Sequence, residues 1–106
     1  MTTTKAERIA VVLSPTLGTW DGKSTAAPVV WKEEDKYYML YQGWSEGSGP
    51  RIPGLADSED GLHWTRYEKN PVMKSSKETW DQNGFECGSL LKLDDEYWLF
   101  YTGFGG

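Results

Sequence analysis

The chain has 106 residues, a formal net charge of −5, a single Cys, and an aromatic share of 14% that includes six Trp and six Tyr. That length holds one domain, and chains of this size bury only about two-thirds of their unfolded surface. The acidic balance excludes a Lys/Arg groove for nucleic acid, the lone Cys87 excludes an intrachain disulfide framework, and no apolar run has the length of a signal or a membrane span. Capped stretches of helical period are missing as well. The expectation is an all-β cytoplasmic chain with no nucleic-acid or membrane partner, no cofactor and no metal.

Ala10-Val11-Val12-Leu13 lies 60 residues before Asn70-Pro71-Val72-Met73 and reads as the end of a preceding unit, so residues 1–19 are expected to form a closing strand and linker. A full unit follows over 20–74. Its strands are expected at 27–32 (APVVWK), 37–43, 52–58 and 63–67, with Glu33-Glu34-Asp35 and Asp60-Gly61 as turns and Asn70-Pro71 as the link onward. Residues 80–106 read as the first half of the next unit, where Asp94-Asp95 turns into a strand at 97–103. Each unit is therefore a four-stranded antiparallel meander of about 60 residues, a repeat that cannot bury both its faces alone.

The repeat is written in the residues. Trp20-Asp21 recurs as Trp80-Asp81, and the stretch from Lys36 to Trp44 recurs from Glu96 to Phe104. Seven of the 25 positions from 20 to 44 are identical in the copy: Trp20, Asp21, Lys32, Asp35, Tyr37, Tyr41 and Gly43. Tyr37, Met39 and Tyr41 alternate with Tyr38 and Leu40, so both faces of that strand are apolar. Two stacked sheets cover only one face each, and the uncovered faces would form a patch larger than soluble monomers tolerate. Self-assembly into a closed ring is expected. With about 1.75 units per chain, three chains supply about five blades.

With these stretches in view, the chain resembles the five-bladed β-propeller glycoside hydrolases, families 32, 43, 68 and their relatives. The resemblance is carried by KYYMLYQG, GLADSEDGLHWTRYEKNPVM, TWDQNGFECGSLL and DEYWLFYTG, which cover most of residues 20 to 104. It implies propeller blades, with ADSEDGLHW closing a blade and Glu86-Cys87 matching the Glu-Cys motif whose Glu is the general acid/base. The place of the Arg-Asp-Pro motif, whose Asp stabilises the transition state, holds Ala26-Ala27-Pro28. The nucleophile blade has no counterpart among the 106 residues.

On an antiparallel blade, the start of the first strand and the end of the second share one end of the sheet. Trp20, Asp21, Ala26, Trp44 and Arg51 from one unit, with Trp80, Asp81, Glu86 and Phe104 from the next, are therefore expected to ring one axial face. Glycoside hydrolysis needs two carboxylates roughly 5 to 9.5 Å apart, one with a raised pKa. Glu86 is the candidate general acid/base, and Asp21 and Asp81 are candidate partners. The repeated Trp-Asp pair has a structural reading as well, an Asx turn with the Trp packed between blades. Trp20, Trp44, Trp80 and Phe104 are candidate platforms for sugar faces, and Arg51, in the loop Gly47-Ser48-Gly49-Pro50, a candidate partner for hydroxyls. His63, on the outermost strand, reads as structural and Cys87 as a packed thiol.

The expected function is a glycoside-hydrolase-like propeller that acts on or binds a carbohydrate at the axial face of a self-assembled ring, with an incomplete catalytic set. The alternative is a non-catalytic sugar-binding oligomer or an inactive truncated or engineered piece.

Overall fold

A computed structural model of the chain describes residues 5–45, 49–75 and 80–105. Six antiparallel strands make two sheets. The first has the order β1(Ser24–Glu33), β2(Lys36–Trp44), β3(Ile52–Ser58) and β4(Thr65–Arg66), and the second pairs β5(Phe85–Leu93) with β6(Glu96–Gly103). The protein is thus all-β among the described residues, one four-stranded meander followed by the first two strands of its repeat.

The turns are where the acidic residues put them. Glu34 and Asp94 adopt φ of 55° and 56°, the left-handed conformation that closes a two-residue hairpin, in equivalent places of the two copies. Gly61, at φ 81°, turns the chain after Asp60. The Asp60 carboxylate accepts the backbone N–H groups of Leu62 and His63, and the Trp64 indole donates to the Gly61 carbonyl at 2.9 Å. That turn consumes His63 and Trp64, so the fourth strand is only Thr65–Arg66 rather than 63–67.

Both copies interrupt their first strand at the same point. The β1–β2 register shifts between Ala26 and Val29, and the β5–β6 register shifts between Cys87 and Ser89. Ala27 carries the bulge at φ 50°, while Gly88 is the unpaired residue in the second copy. A bulge re-aims the residues before it, here Ala26 and Glu86.

Parity settles what each face does. Val29, Trp31 and Glu33 pair with Leu40, Tyr38 and Lys36, and cross-strand partners share a face. This face of the first sheet meets the second. Trp31 lies 6.2 Å from Tyr97 and stacks on Tyr38, while Glu33 accepts from the Lys92 ammonium at 2.6 Å and from the Tyr97 hydroxyl. The opposite face carries Met39 and Tyr41, which form the core with Ala56, covered by Val12, Leu13, Trp20 and Trp64. The segment expected to be a closing strand thus joins neither sheet. Residues 9–13 hold no strand, and Thr25 donates to the Leu13 carbonyl at 2.9 Å, fixing the segment across the face of β1 and β2.

The two sheets are stitched at the end where β1 and β5 begin. Arg51 and Gly84 form a parallel bridge, with Phe85 N–H donating to the Arg51 carbonyl at 2.9 Å. Gly84 sits at φ 103°, and a Cβ there would lie 1.9 Å from the Arg51 oxygen, so only glycine permits this approach.

Candidate functional site

The repeated Trp-Asp pair resolves first. Trp20 lies flat over β2 and β3: a Cβ on Gly43 would meet its ring at 2.2 Å, and one on Gly54 would meet it at 2.6 Å. The pairing of a large ring with glycine on the neighbouring strands explains why Trp and Gly recur together. Trp80 repeats the arrangement over Gly103, at 2.1 Å, and stacks 5.6 Å from Tyr101. No strand after β6 covers Trp80 among the described residues, and it is 63% exposed where Trp20 is half-buried.

Asp21 is 1% exposed. Its carboxylate accepts from the Thr19 hydroxyl at 2.8 Å, the Tyr41 hydroxyl at 3.2 Å and the Arg66 guanidinium at 2.9 Å. Arg66 also donates to the Ser14 carbonyl, and the Asn70 side chain closes on Leu55 and on the Tyr41 hydroxyl. Burial by itself pushes the Asp21 carboxyl up, but the Thr19 and Arg66 hydrogen bonds and the Arg66 charge outweigh it and hold the group below its ordinary value. Burial and then the Asp21 charge push the Tyr41 phenol up to about 12. Both carboxylate oxygens of Asp21 are thus engaged inside the blade. Sequence reading misses Arg66 and Thr19; the available signal is Arg66 two residues after the blade-closing Trp64, on the edge strand β4 opposite Ala56 and so on the Met39–Tyr41 face. Asp81 takes the equivalent place in the second copy, half-buried and beside Gly103.

At the stitched end, a cleft of about 340 Å³ opens between the two sheets, lined by Trp44, Gly49, Arg51, Asn83 and Phe104. The Arg51 guanidinium lies 4.2 Å from the Trp44 ring centroid and 5.9 Å from that of Phe104. It thereby spans the two aromatics that end equivalent strands. Lys23 approaches the same indole at 3.9 Å, and the Trp44 N–H donates to the Gly49 carbonyl at 3.0 Å. Three residues expected at one face, Trp44, Arg51 and Phe104, are therefore brought together. Asn83 and Lys23 join them unforeseen, although they occupy equivalent places in the two copies. The loop positions Gly47 and Ser48 lie outside the described residues.

Glu86 stands apart from that lining. It pairs with Thr102 and so shares the face of Phe100 and Trp98, opposite the buried Phe85 and Cys87, with its carboxylate exposed. It is two residues from Gly84, whose neighbours Asn83 and Phe85 bond to the Arg51 backbone, so its own backbone is fixed by the same stitching as the cleft. Burial, and secondarily the Glu86 charge, pushes the Cys87 thiol up to about 11, which leaves it protonated and inert at neutral pH. His63 is exposed on the turn after β3, 2.6 Å from Asp60.

Among the described residues no group of His, Cys, Asp and Glu is arranged to hold a metal ion, and no helix is long and apolar enough to cross a membrane.

The sequence matches known proteins over much of the chain. Residues 27–105 match the glycosyl hydrolases family 32 N-terminal domain. The chain is 29% identical over 75 residues to a sucrose-6-phosphate hydrolase of Bacillus subtilis (strain 168), a match covering 71% of this chain and 15% of that protein. It is 42% identical over 55 residues to a beta-1,2-mannobiose phosphorylase of Thermoanaerobacter sp. (strain X514), covering 50% of this chain and 17% of the phosphorylase. A 1,2-beta-oligomannan phosphorylase from the same strain is 40% identical over 52 residues, covering 49% and 17%. The chain thus spans about a sixth of the length of these relatives. By its match over residues 27–105 the chain belongs to the glycosyl hydrolase family 32 N-terminal domain family, and its antiparallel strands are blades of a β-propeller.

Proposed function

We propose that the cleft between Trp44 and Phe104 binds the glycosyl unit of a short oligosaccharide, with Glu86 as the acid/base carboxylate at its margin. The observation that supports this most directly is the Arg51 guanidinium held between two aromatic rings, fixed donors beside flat apolar faces. Sugars offer both complements: C–H faces that stack on rings, and hydroxyls that accept from a guanidinium. The relatives act on fructosyl and mannosyl compounds by name, which makes a fructoside or a β-1,2-mannoside the substrate class to test.

In this reading Glu86 protonates the leaving glycosidic oxygen as that bond breaks and a second carboxylate bonds to the sugar carbon; water then attacks that carbon, Glu86 takes the water's proton, and the second carboxylate is released. A second carboxylate on the far side of the sugar is required. Asp21 does not supply it, since its oxygens are engaged with Thr19, Tyr41 and Arg66. The place equivalent to Glu86 in the first copy holds Ala26, beside Ala27 at φ 50°. In this reading the second carboxylate comes from Asp81 or from another blade.

The alternative, a sugar-binding module without turnover, is favoured by that apolar Ala26-Ala27 site. Release of fructose from sucrose 6-phosphate, and of mannose 1-phosphate from β-1,2-mannobiose with phosphate, separates the two readings. Turnover that disappears in Glu86→Gln supports catalysis; turnover unaffected by that change removes Glu86 from the mechanism. Binding without turnover supports the module.

A further inference from the structure

The stitch between the sheets runs through the one place in the chain where an asparagine precedes a glycine. The chain has two asparagines: Asn70 is followed by Pro71, whose nitrogen carries no proton, and Asn83 by Gly84. A glycine nitrogen is the least hindered nucleophile a peptide bond can offer to the side-chain amide before it, because no Cβ shields it. In the folded chain that nitrogen is engaged. The Gly84 N–H donates to the Asp81 carbonyl at 2.9 Å, and the Asn83 N–H donates to the Phe104 carbonyl at 2.8 Å. The Gly84 carbonyl accepts from the Phe104 N–H at 2.8 Å, and the Asn83 carbonyl from the Arg51 N–H at 3.3 Å. Gly84 is buried at φ 103°, whereas Asn83 is exposed and lines the cleft with Arg51 and Phe104. Nucleophile and target amide are thus neighbours within reach of water, and the backbone hydrogen bonds of the stitch fix the peptide that joins them.

We infer that Asn83 and Gly84 form a self-modification site gated by the stitch, whose reaction then keeps the stitch from closing. When the stitch opens, the Gly84 nitrogen attacks the side-chain carbonyl carbon of Asn83. The new bond closes a succinimide ring, the bond from that carbon to the side-chain nitrogen breaks, and ammonia leaves carrying the Gly84 proton. Water adds to one of the two ring carbonyls and opens the ring, to aspartate or to isoaspartate at position 83. Nothing is oxidised or reduced, and water is the only co-reactant. The isoaspartate product runs the main chain through the former side chain and lengthens it by one carbon, between backbone groups that bond to Arg51 and Phe104. The stitch has no room for that shift, since a single atom added to the Gly84 Cα lies 1.9 Å from the Arg51 oxygen. Both products also place a carboxylate in the cleft wall beside Arg51. Opening of a segment is local, and reaction of the opened form follows its population. The site therefore records the time the junction spends open, and then removes junction and cleft together. This inference is independent of the sugar-binding reading, because none of its steps involves a ligand.

The test incubates the whole chain in warm, mildly alkaline buffer, folded and in guanidinium chloride. Ion exchange separates the more acidic product, and peptide mapping by mass locates the change. Modification at Asn83 and not at Asn70 is expected in both samples, roughly tenfold or more slower in the folded chain, the factor by which the stitch is closed. The folded product, once isolated, is expected to bind more hydrophobic dye than the unmodified chain, and its Phe85 and Phe104 amides to exchange faster with deuterium. Asn83→Gln, whose longer side chain closes the ring far more slowly, should show neither change after the same incubation. Asn83→Ser takes its place if the circular dichroism of Asn83→Gln departs from wild type. Equal rates in the folded and unfolded chain overturn the gate. A folded chain without product after weeks, long after the unfolded chain is exhausted, overturns Asn83 as a site of the folded protein. A folded product with unchanged dye binding and unchanged exchange overturns the lock on the stitch.

Discussion

Asp21 and Arg66, 45 residues apart in sequence, meet at 2.9 Å in the interior of the first blade. The contact ties the residue that opens the blade to the strand that ends it. It also brings in Ser14 through Arg66 and Tyr41 through Asp21, so four segments of the chain depend on one ion pair. Breaking a buried pair by removing one partner leaves the other uncompensated, which costs about 3–5 kcal/mol. Arg66 is 29% exposed in its side chain, and water there offsets part of that loss. Asp21→Ala is therefore expected to destabilise the fold by about 2–3 kcal/mol, read as a lowered urea midpoint. A midpoint within experimental error of wild type would show that the network does not hold the blade.

The same carboxylate sets a pH dependence. Its folded pKa lies below the ordinary value of 3.8, so the unfolded chain takes up the proton first as the pH falls. The stability it contributes is complete above about pH 5 and is lost as the pH drops through 3.8 toward the folded value. The unfolding temperature of the wild type should fall across that window, and Asp21→Asn should fall less steeply. Tyr41 acts at the other end. Its phenol is raised from 10.0 to about 12, so stability present below pH 10 is lost as the pH rises toward 12, and Tyr41→Phe should flatten that alkaline slope.

Glycine under tryptophan gives a paired prediction. Gly43→Ala places a methyl 2.2 Å from the Trp20 ring, which is itself held against Gly54, so overpacking should cost about 2–3 kcal/mol. Gly103→Ala makes an equally short contact with Trp80, but that ring is 63% exposed and can swing aside. Its cost should be less than half as large. Equal losses in thermal unfolding would mean that Trp80 is clamped as firmly as Trp20.

The stitch between sheets is tested by Gly84→Ala. Its φ of 103° and the Arg51 oxygen 1.9 Å from a built Cβ combine strain with a backbone clash, which no rotamer relieves. Loss of the junction should unmask Trp31 and Tyr97 and raise the binding of a hydrophobic dye. Unchanged dye binding and unchanged stability would place the sheets' attachment elsewhere.

The strands, the turns and the repeat were legible in the sequence because each rests on local chemistry: β-branched and aromatic alternation, acidic turn residues, and a spacing of 60. The roles of the repeated residues were legible only in part. The recurrence of Trp20-Asp21 in both units favoured packing over a sugar site, but the partners that fix it, Arg66 and Gly54, lie far along the chain, and no local pattern encodes their approach. Residues 10–13 show why an apolar run does not name its partner. An edge strand and a segment laid flat on a sheet need the same side chains, and here Val12 and Leu13 cover Met39 and Tyr41 instead of pairing. The convergence of Trp44, Arg51 and Phe104 was read from antiparallel geometry. Asn83 and Lys23 were not, because their place depends on how the two sheets are stitched at Gly84.

The most direct test of the account is a calorimetric titration of the whole chain with β-1,2-mannobiose and with sucrose 6-phosphate, beside Trp44→Ala and Arg51→Ala. Saturable binding of one of the two sugars to the wild type is expected, weakened at least tenfold in either variant, with folding unchanged by circular dichroism. Binding that survives both substitutions, or no heat from either sugar at millimolar concentration, would contradict a sugar site between Trp44 and Phe104.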